Sequence, residues 1–251
     1  MLSQTAVSRK WPVVSNPPQA TVPDTLAALF RGQVEERFDT GTAMFWEGDP
    51  ARDVFEVVAG VLRIYRILGD GRRVITGFLY PGDLVGVSLR DRYLYTAEAV
   101  TPMKVRRFSR RRFDDEMVRF PELRPQLFAR VCDEMAAAQD QMVLLARKTA
   151  EERVCSFLLD VARRVEVDRA DLPVIDIPMT RLDMADYLGL TIETVSRTMS
   201  KLMRAKIIAA EGRHALLIGK LKRLVQLAGE EEDDVYPGND NGFTGRRALA
   251  N

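Results

Sequence analysis

The sequence predicts an α+β chain, and three observations predict it. The first half carries short β-branched and aromatic runs punctuated by glycine; a long glycine-free stretch with a narrow apolar seam follows; then come two short helices joined by a tight turn, with a two-stranded wing behind them. The expected division is a polar tail over 1–22, a β-roll over 23–114, a helical segment over 115–148, a winged helix-turn-helix over 149–228 and a second tail over 229–251. With 251 residues, 46% of them hydrophobic and 29% charged, the chain can build the cores this requires.

The opening MLSQTAVSRKWPVVSNPPQA is rich in Pro, Ser and polar residues, reads as a tail, and lacks the continuous apolar segment of a signal peptide. Strands are expected at VFEVV (54–58), VLRIYRIL (61–68), RVITGFLY (73–80) and MKVRRF (103–108). Between two of them LGDG is a hairpin turn, because Asp and Gly tolerate positive φ. Many short, evenly spaced strands argue a sandwich or barrel-like roll. The basic run KVRRFSRRR (104–112) is expected to be a solvated strand edge.

After Phe113 the texture turns helical. In PELRPQLFARVCDEMAAAQDQMVLLARK the apolar residues Leu127, Val131, Met135, Ala138, Met142 and Leu145 recur at spacings of 4, 4, 3, 4 and 3 without a charge on the seam. That pattern packs a helix along a partner helix. Thr149-Ala-Glu-Glu152 is a capping box opening another helix, the polar loop EVDRADLP leads to a short strand VIDIP, and Thr180-Arg-Leu-Asp183 repeats the capping pattern. The end, GEEEDDVYPGNDNGFTGRRALAN, reads as a solvated tail.

The helix from Thr180 stops at Gly189, and Thr191 can cap a new one a short turn later, which is helix-turn-helix geometry. At about 100° per residue, Ile192, Val195, Met199, Leu202 and Met203 share one side of the second helix, and Glu193, Ser196, Arg197 and Ser200 share the other. A short polar face in the first turns suits a helix entering the major groove. Arg197 can bond guanine bidentately, Glu193 can accept from a cytosine amine, and Ser196 can reach a base or phosphate. Thr180, Thr191, Thr194, Ser200, Lys201 and Arg213 are the candidate phosphate contacts. Glu193 and Arg197 also fit an ordinary i,i+4 surface pair. Context favours the groove: 206–218 reads as a wing turning at Glu211-Gly212, and 191–226 holds eight Lys/Arg against two Glu, a local +6 in a chain of net +1.

Other chemistry has little to build on. Cys132 and Cys155 lie far apart with no CxxC spacing, and His214 is the only histidine, so disulfide frameworks, zinc sites and Ser-His-Asp triads are not suggested. No apolar run approaches the roughly 18 residues of a membrane helix. The expectation is a cytoplasmic chain that is not an enzyme, with no cofactor, no metal and no membrane partner.

With AEERVCSFLLDVARR (150–164) and MTRLDMADYLGLTIETVSRTMSKL (179–202) in view, the sequence resembles the CRP/FNR family of bacterial transcription regulators over roughly residues 25–228. The E-x-x-S-R pattern of Glu193, Ser196 and Arg197 is similar to that of the FNR and FixK branches. The resemblance implies a cyclic-nucleotide-binding-like roll, a long dimerisation helix and a winged DNA-binding domain. It implies a homodimer on a two-fold DNA site of the TTGAT-N4-ATCAA type, contact with RNA polymerase, and activation of genes such as those for low-oxygen metabolism. Two departures stand out. The FNR-type cysteine cluster is missing, since 1–131 contain no cysteine, and the phosphate cassette reads PGDLVGVSLRDRYLYTAEAV, with Asp83 near the usual Glu and Tyr95-Thr96 where Arg-Ser/Thr would stand. Arg90 and Arg92 lie nearby. FixK-like control, with the roll as scaffold, is therefore expected. A regulator gated by a small molecule in the roll, and one controlled by oxidation of Cys155, are the alternatives.

Overall fold

The computed structural model describes residues 23–88, 90–164 and 173–230. The two expected tails, apart from Gly229 and Glu230, and the loop EVDRADLP, apart from Pro173, lie outside them. A short helix α1 (Leu26–Arg31) leads into β1 (Glu35–Phe38), β2 (Ala43–Phe45), β3 (Asp53–Ala59), β4 (Leu62–Ile67), β5 (Arg73–Leu79), β6 (Leu84–Val85), β7 (Thr96–Ala99) and β8 (Met103–Ser109). These strands form two four-stranded antiparallel sheets, ordered β1-β8-β3-β6 and β2-β7-β4-β5. Alternating inward residues, among them Phe55, Val57, Leu62, Ala97 and Val105, fill the space between the sheets.

The LGDG hairpin forms as expected. Leu68 N–H donates to the Arg72 carbonyl at 2.8 Å, and Gly71 sits at φ +84°. The basic run does not lie at an edge. Strand β8 is interior to its sheet, between β1 and β3, and carboxylates of both neighbours pair with its two arginines, Arg106 with Glu35 and Glu56 and Arg107 with Glu36 and Asp53, while Arg110 to Arg112 open the helix that follows, the last two exposed. Opposite charges directly across a ladder stabilise it, which is why the sheet tolerates so many arginines.

Helix α2 (Arg110–Arg119) follows, then a 3-10 turn at Pro121–Leu123 and the long helix α3 (Arg124–Arg147). Pro121 and Pro125 fall in first turns, where a missing N–H costs nothing. Phe113, Met117 and Leu123 pack with Phe30, Val54 and Phe108 in a second core that seats the start of α3 on the roll. Beyond it come α4 (Ala150–Ala162), β9 (Val174–Asp176), α5 (Arg181–Leu188), α6 (Ile192–Arg204), β10 (Ile208–Ala210), β11 (Ala215–Ile218) and α7 (Leu221–Ala228). The wing joins a three-stranded sheet ordered β10-β11-β9, turning at Gly212 with φ +121°. A third core packs α4 to α7 together and reaches back to Tyr65, Ile75 and Phe78 of the roll. Among the described residues no helix is long and apolar enough to cross a membrane.

Gly60, between β3 and β4, has φ +89°, and a Cβ there would lie 2.6 Å from the Pro102 carbonyl oxygen. Both the left-handed backbone and the clash penalise any side chain. Gly60→Ala is expected to destabilise the roll by on the order of 2 kcal/mol or more, read as a lower melting temperature; unchanged melting would contradict the packing described.

Candidate nucleic-acid interface

The two helices at the turn are set by their caps. Thr180 Oγ1 accepts from Asp183 N–H at 3.1 Å, and Asp183 Oδ2 accepts from Thr180 N–H at 3.1 Å, a reciprocal capping box. At the other end Gly189 takes the left-handed conformation, φ +62°, and Leu190 N–H returns to the Ala185 carbonyl at 3.0 Å. Thr191 then caps α6 through Thr194 N–H at 3.3 Å.

From that start Val195, Thr198, Met199 and Leu202 are buried, while Glu193, Ser196, Arg197 and Ser200 face solvent. Ile192, assigned to the apolar side by periodicity, is 41% exposed, because at the first position of the helix it has no turn to pack under. The Glu193 carboxyl is held below the ordinary range, first by its own backbone N–H and then by the Thr191 hydroxyl, with Arg197 contributing least. It is therefore an anion and an acceptor at neutral pH. Arg197 forms no ion pair among the described residues, so the surface-pair alternative has no contact here and the guanidinium is left to solvent.

The candidate phosphate contacts divide. Thr180 and Thr191 are exposed caps, and Arg213 is exposed at the wing turn. Half-buried Thr194 shares its hydroxyl with Thr191 at 3.1 Å. The Ser200 hydroxyl donates back to the Ser196 carbonyl at 2.8 Å, leaving it an acceptor only. Lys201 is committed to Glu151 at 2.7 Å and would have to exchange that partner for a phosphate.

Along α3, Val131, Met135, Ala138, Met142 and Leu145 are exposed on one face. Leu127 is not: it packs against the Phe30 and Phe113 core of its own roll, and Phe128, 71% exposed, takes its place. The exposed series 128, 131, 135, 138, 142, 145 has spacings of 3, 4, 3, 4 and 3, more regular than the one starting at Leu127, and that regularity was the missed signal.

The cassette region is filled by its own side chains. Gly86, at φ +81°, donates its N–H to the Tyr95 hydroxyl at 3.2 Å, and burial pushes that phenol up to about 12. Thr96 Oγ1 accepts from Glu47 N–H at 3.1 Å. Asp83 accepts from Tyr80 N–H at 2.9 Å and pairs with Arg164 at 3.8 Å. Arg92 is turned to the Gly48 carbonyl. No guanidinium is brought to the Gly86 amide by these contacts, and a phosphate would have to displace a phenol to reach it.

Cys155, the candidate redox thiol, is fully buried in α4, and burial first, Glu151 second, push it up to about 12. A reactive cysteine needs the opposite, exposure and a stabilised thiolate. Because the folded value is raised, the thiol's contribution to stability is present below the ordinary thiol range and is lost as pH climbs from there toward about 12. In native protein at neutral pH, Cys155 is expected to resist a thiol reagent and to react only after unfolding; mass-spectrometric mapping of rapid native labelling at Cys155 would overturn this.

Comparison with known proteins agrees with the geometry. Residues 152–227 match the Crp-like helix-turn-helix domain, and residues 35–120 match the cyclic nucleotide-binding domain. The chain is 36% identical over 218 residues to the transcriptional activator protein FnrL of Cereibacter sphaeroides, spanning 85% of this chain and 88% of that one. It is 43% identical over 176 residues to the nitrogen fixation regulation protein FixK of Bradyrhizobium diazoefficiens, spanning 68% and 73%. Among solved structures, FixK2 from Bradyrhizobium japonicum superposes with a TM-score of 0.73 at 36% identity, over 78% of this chain and 96% of that one. The chain belongs to the CRP/FNR family of transcription regulators, beside its FnrL and FixK members.

Proposed function

We propose that the chain is a sequence-specific DNA-binding transcription activator that works as a homodimer on TTGAT-N4-ATCAA-type palindromes and contacts RNA polymerase there. One observation carries this: at the start of α6 a carboxylate, a hydroxyl and an unpaired guanidinium face solvent together, anchored from behind by Val195, Met199 and Leu202. Arg197 reads the guanine, Glu193 accepts from a cytosine or neighbouring amine, and the exposed Thr180, Thr191 and Arg213 grip phosphates. The names of the FnrL and FixK relatives, an activator and a regulation protein, support the same role. The phenol seated on Gly86 supports control without a cyclic nucleotide, with the roll serving as scaffold.

The two-fold site follows from α3. Two copies of its exposed 3-4 seam pair as a two-stranded coil, and a dimer axis between them sets two α6 helices about one DNA turn apart. Met135→Asp places a charge in that seam and is expected to weaken the dimer by about 3 kcal/mol or more, shifting the sizing profile to monomer; an unshifted dimer would reject the seam. Arg197→Ala is expected to cost about 1–3 kcal/mol on the palindrome and to relax preference at the guanine. Equal losses on palindrome and random duplex, measured by titration of labelled DNA, would reject direct readout.

A further inference from the structure

Helix α5 is held at one end by the roll and at the other by α3 and by Arg153 of α4. The carboxylate of Asp183, 1% exposed, divides its oxygens: Oδ2 serves the cap of α5, and Oδ1 accepts from Arg63 of β4 at 2.9 Å and from Arg73 of β5 at 2.8 Å. Arg73 also pairs with Asp186, one turn along α5, at 2.7 Å. These arginines are fixed within the roll, since Arg63 is bound to Glu98, which takes the Tyr65 hydroxyl at 2.8 Å, and Arg73 lies over the Tyr65 ring. Beside the ions Phe78 of the roll meets Tyr187 of α5 edge-on, with ring centroids 5.3 Å apart.

The far end of α5 is tied to α3 and to the junction after it. Arg153 donates to three main-chain carbonyls, Leu145 at the end of α3, Lys148 in the linker and Leu188 at the end of α5, at 2.9, 3.0 and 2.9 Å. Gln141 of α3 donates to the Tyr187 carbonyl at 2.8 Å. A planar guanidinium can satisfy three helix-end acceptors in one geometry, which an ammonium on a flexible stem does not reproduce.

We propose that this bracket determines half-site spacing: by holding α5 against both the roll and α3, it fixes the separation of the two recognition helices and hence the spacer the dimer accepts. The inference rests on the palindrome-binding dimer proposed above. Each base pair inserted between half-sites moves the second by about 3.4 Å and turns it by about a tenth of a helical turn, so a dimer that accepts several spacers must let its reading domains swing. Swinging α5 here would break both guanidinium contacts of Asp183, the Arg73–Asp186 pair and the Phe78–Tyr187 contact together, so the movement is opposed by the whole set at once. Rigidity is thus supplied by ion pairs within one chain, with no effector needed to create it.

The test uses the full chain and duplexes with the four-base spacer or with spacers one and two bases longer or shorter, plus a single half-site and a random duplex. Wild type is expected to prefer one spacer by at least about tenfold. Arg73→Glu, which touches no residue of the reading face, is expected to flatten that preference to within about threefold while still distinguishing the half-site from random DNA. Arg73→Lys, which keeps a cation beside both Asp183 and Asp186, should retain most of the wild-type preference. Should Arg73→Glu fail to fold, Arg73→Ala, which takes the cation from both Asp183 and Asp186, is scored by the same criteria. An unaltered spacer profile in a folded variant overturns the proposal, as does a flattened profile accompanied by loss of half-site recognition, which would signal damage to the reading domain instead. Wild type reading the half-site but indifferent to spacing also overturns it. Wild type binding palindrome and random duplex alike would instead bring down the palindrome-binding function itself.

Discussion

A carboxylate taken out of water needs partners that stay in place, and Asp183 has them on two sides. Its cap hydrogen bonds start the first helix of the turn, and its other oxygen is matched by two arginines from strands that precede it by more than a hundred positions. The cap of α5 and its seating on the roll thereby depend on one carboxylate. Helix α6 inherits its orientation through the turn at Gly189, where a Cβ would come within 3.4 Å of both Leu145 and Arg153. Glycine there serves backbone conformation and close approach together.

Helix α3 spends its two faces differently. Toward its own chain it gives Leu127, Gln141 and Leu144, each packed or hydrogen-bonded against roll or reading domain. Away from it the apolar series starting at Phe128 is exposed, uncovered by any of the described residues. The inner face is tied to α5 directly, Gln141 donating to the Tyr187 carbonyl and Arg153 bridging the carbonyls of Leu145 and Leu188.

Local chemistry made much of this legible in the sequence. Both capping boxes, the glycine stop at 189, the LGDG hairpin and the wing turn depend on residues within a few positions of one another, and each forms where the residue types place it. The polar face of α6 was equally plain, since a 3.6-residue period is a local property. Three things were not. The basic run 104–112 looked like an exposed edge because the acids that pair with Arg106 and Arg107, Glu35, Glu36, Asp53 and Glu56, arrive from two other strands. Leu127 and Phe128 are neighbours of equal hydrophobicity, and only the roll's own core decides which turns inward. The arginines that meet Asp183 carry no mark in their own neighbourhood, as sheet register and domain docking bring them there.

The phenol of Tyr95 on the Gly86 amide has a consequence for how such a roll changes over generations. Clearing the hydroxyl away exposes a hydrogen-bond donor but leaves no positive charge to hold an anion, while adding an arginine first meets a socket already stoppered. Anion affinity at this loop would therefore take two coupled changes, one that frees the amide and one that brings a cation beside it.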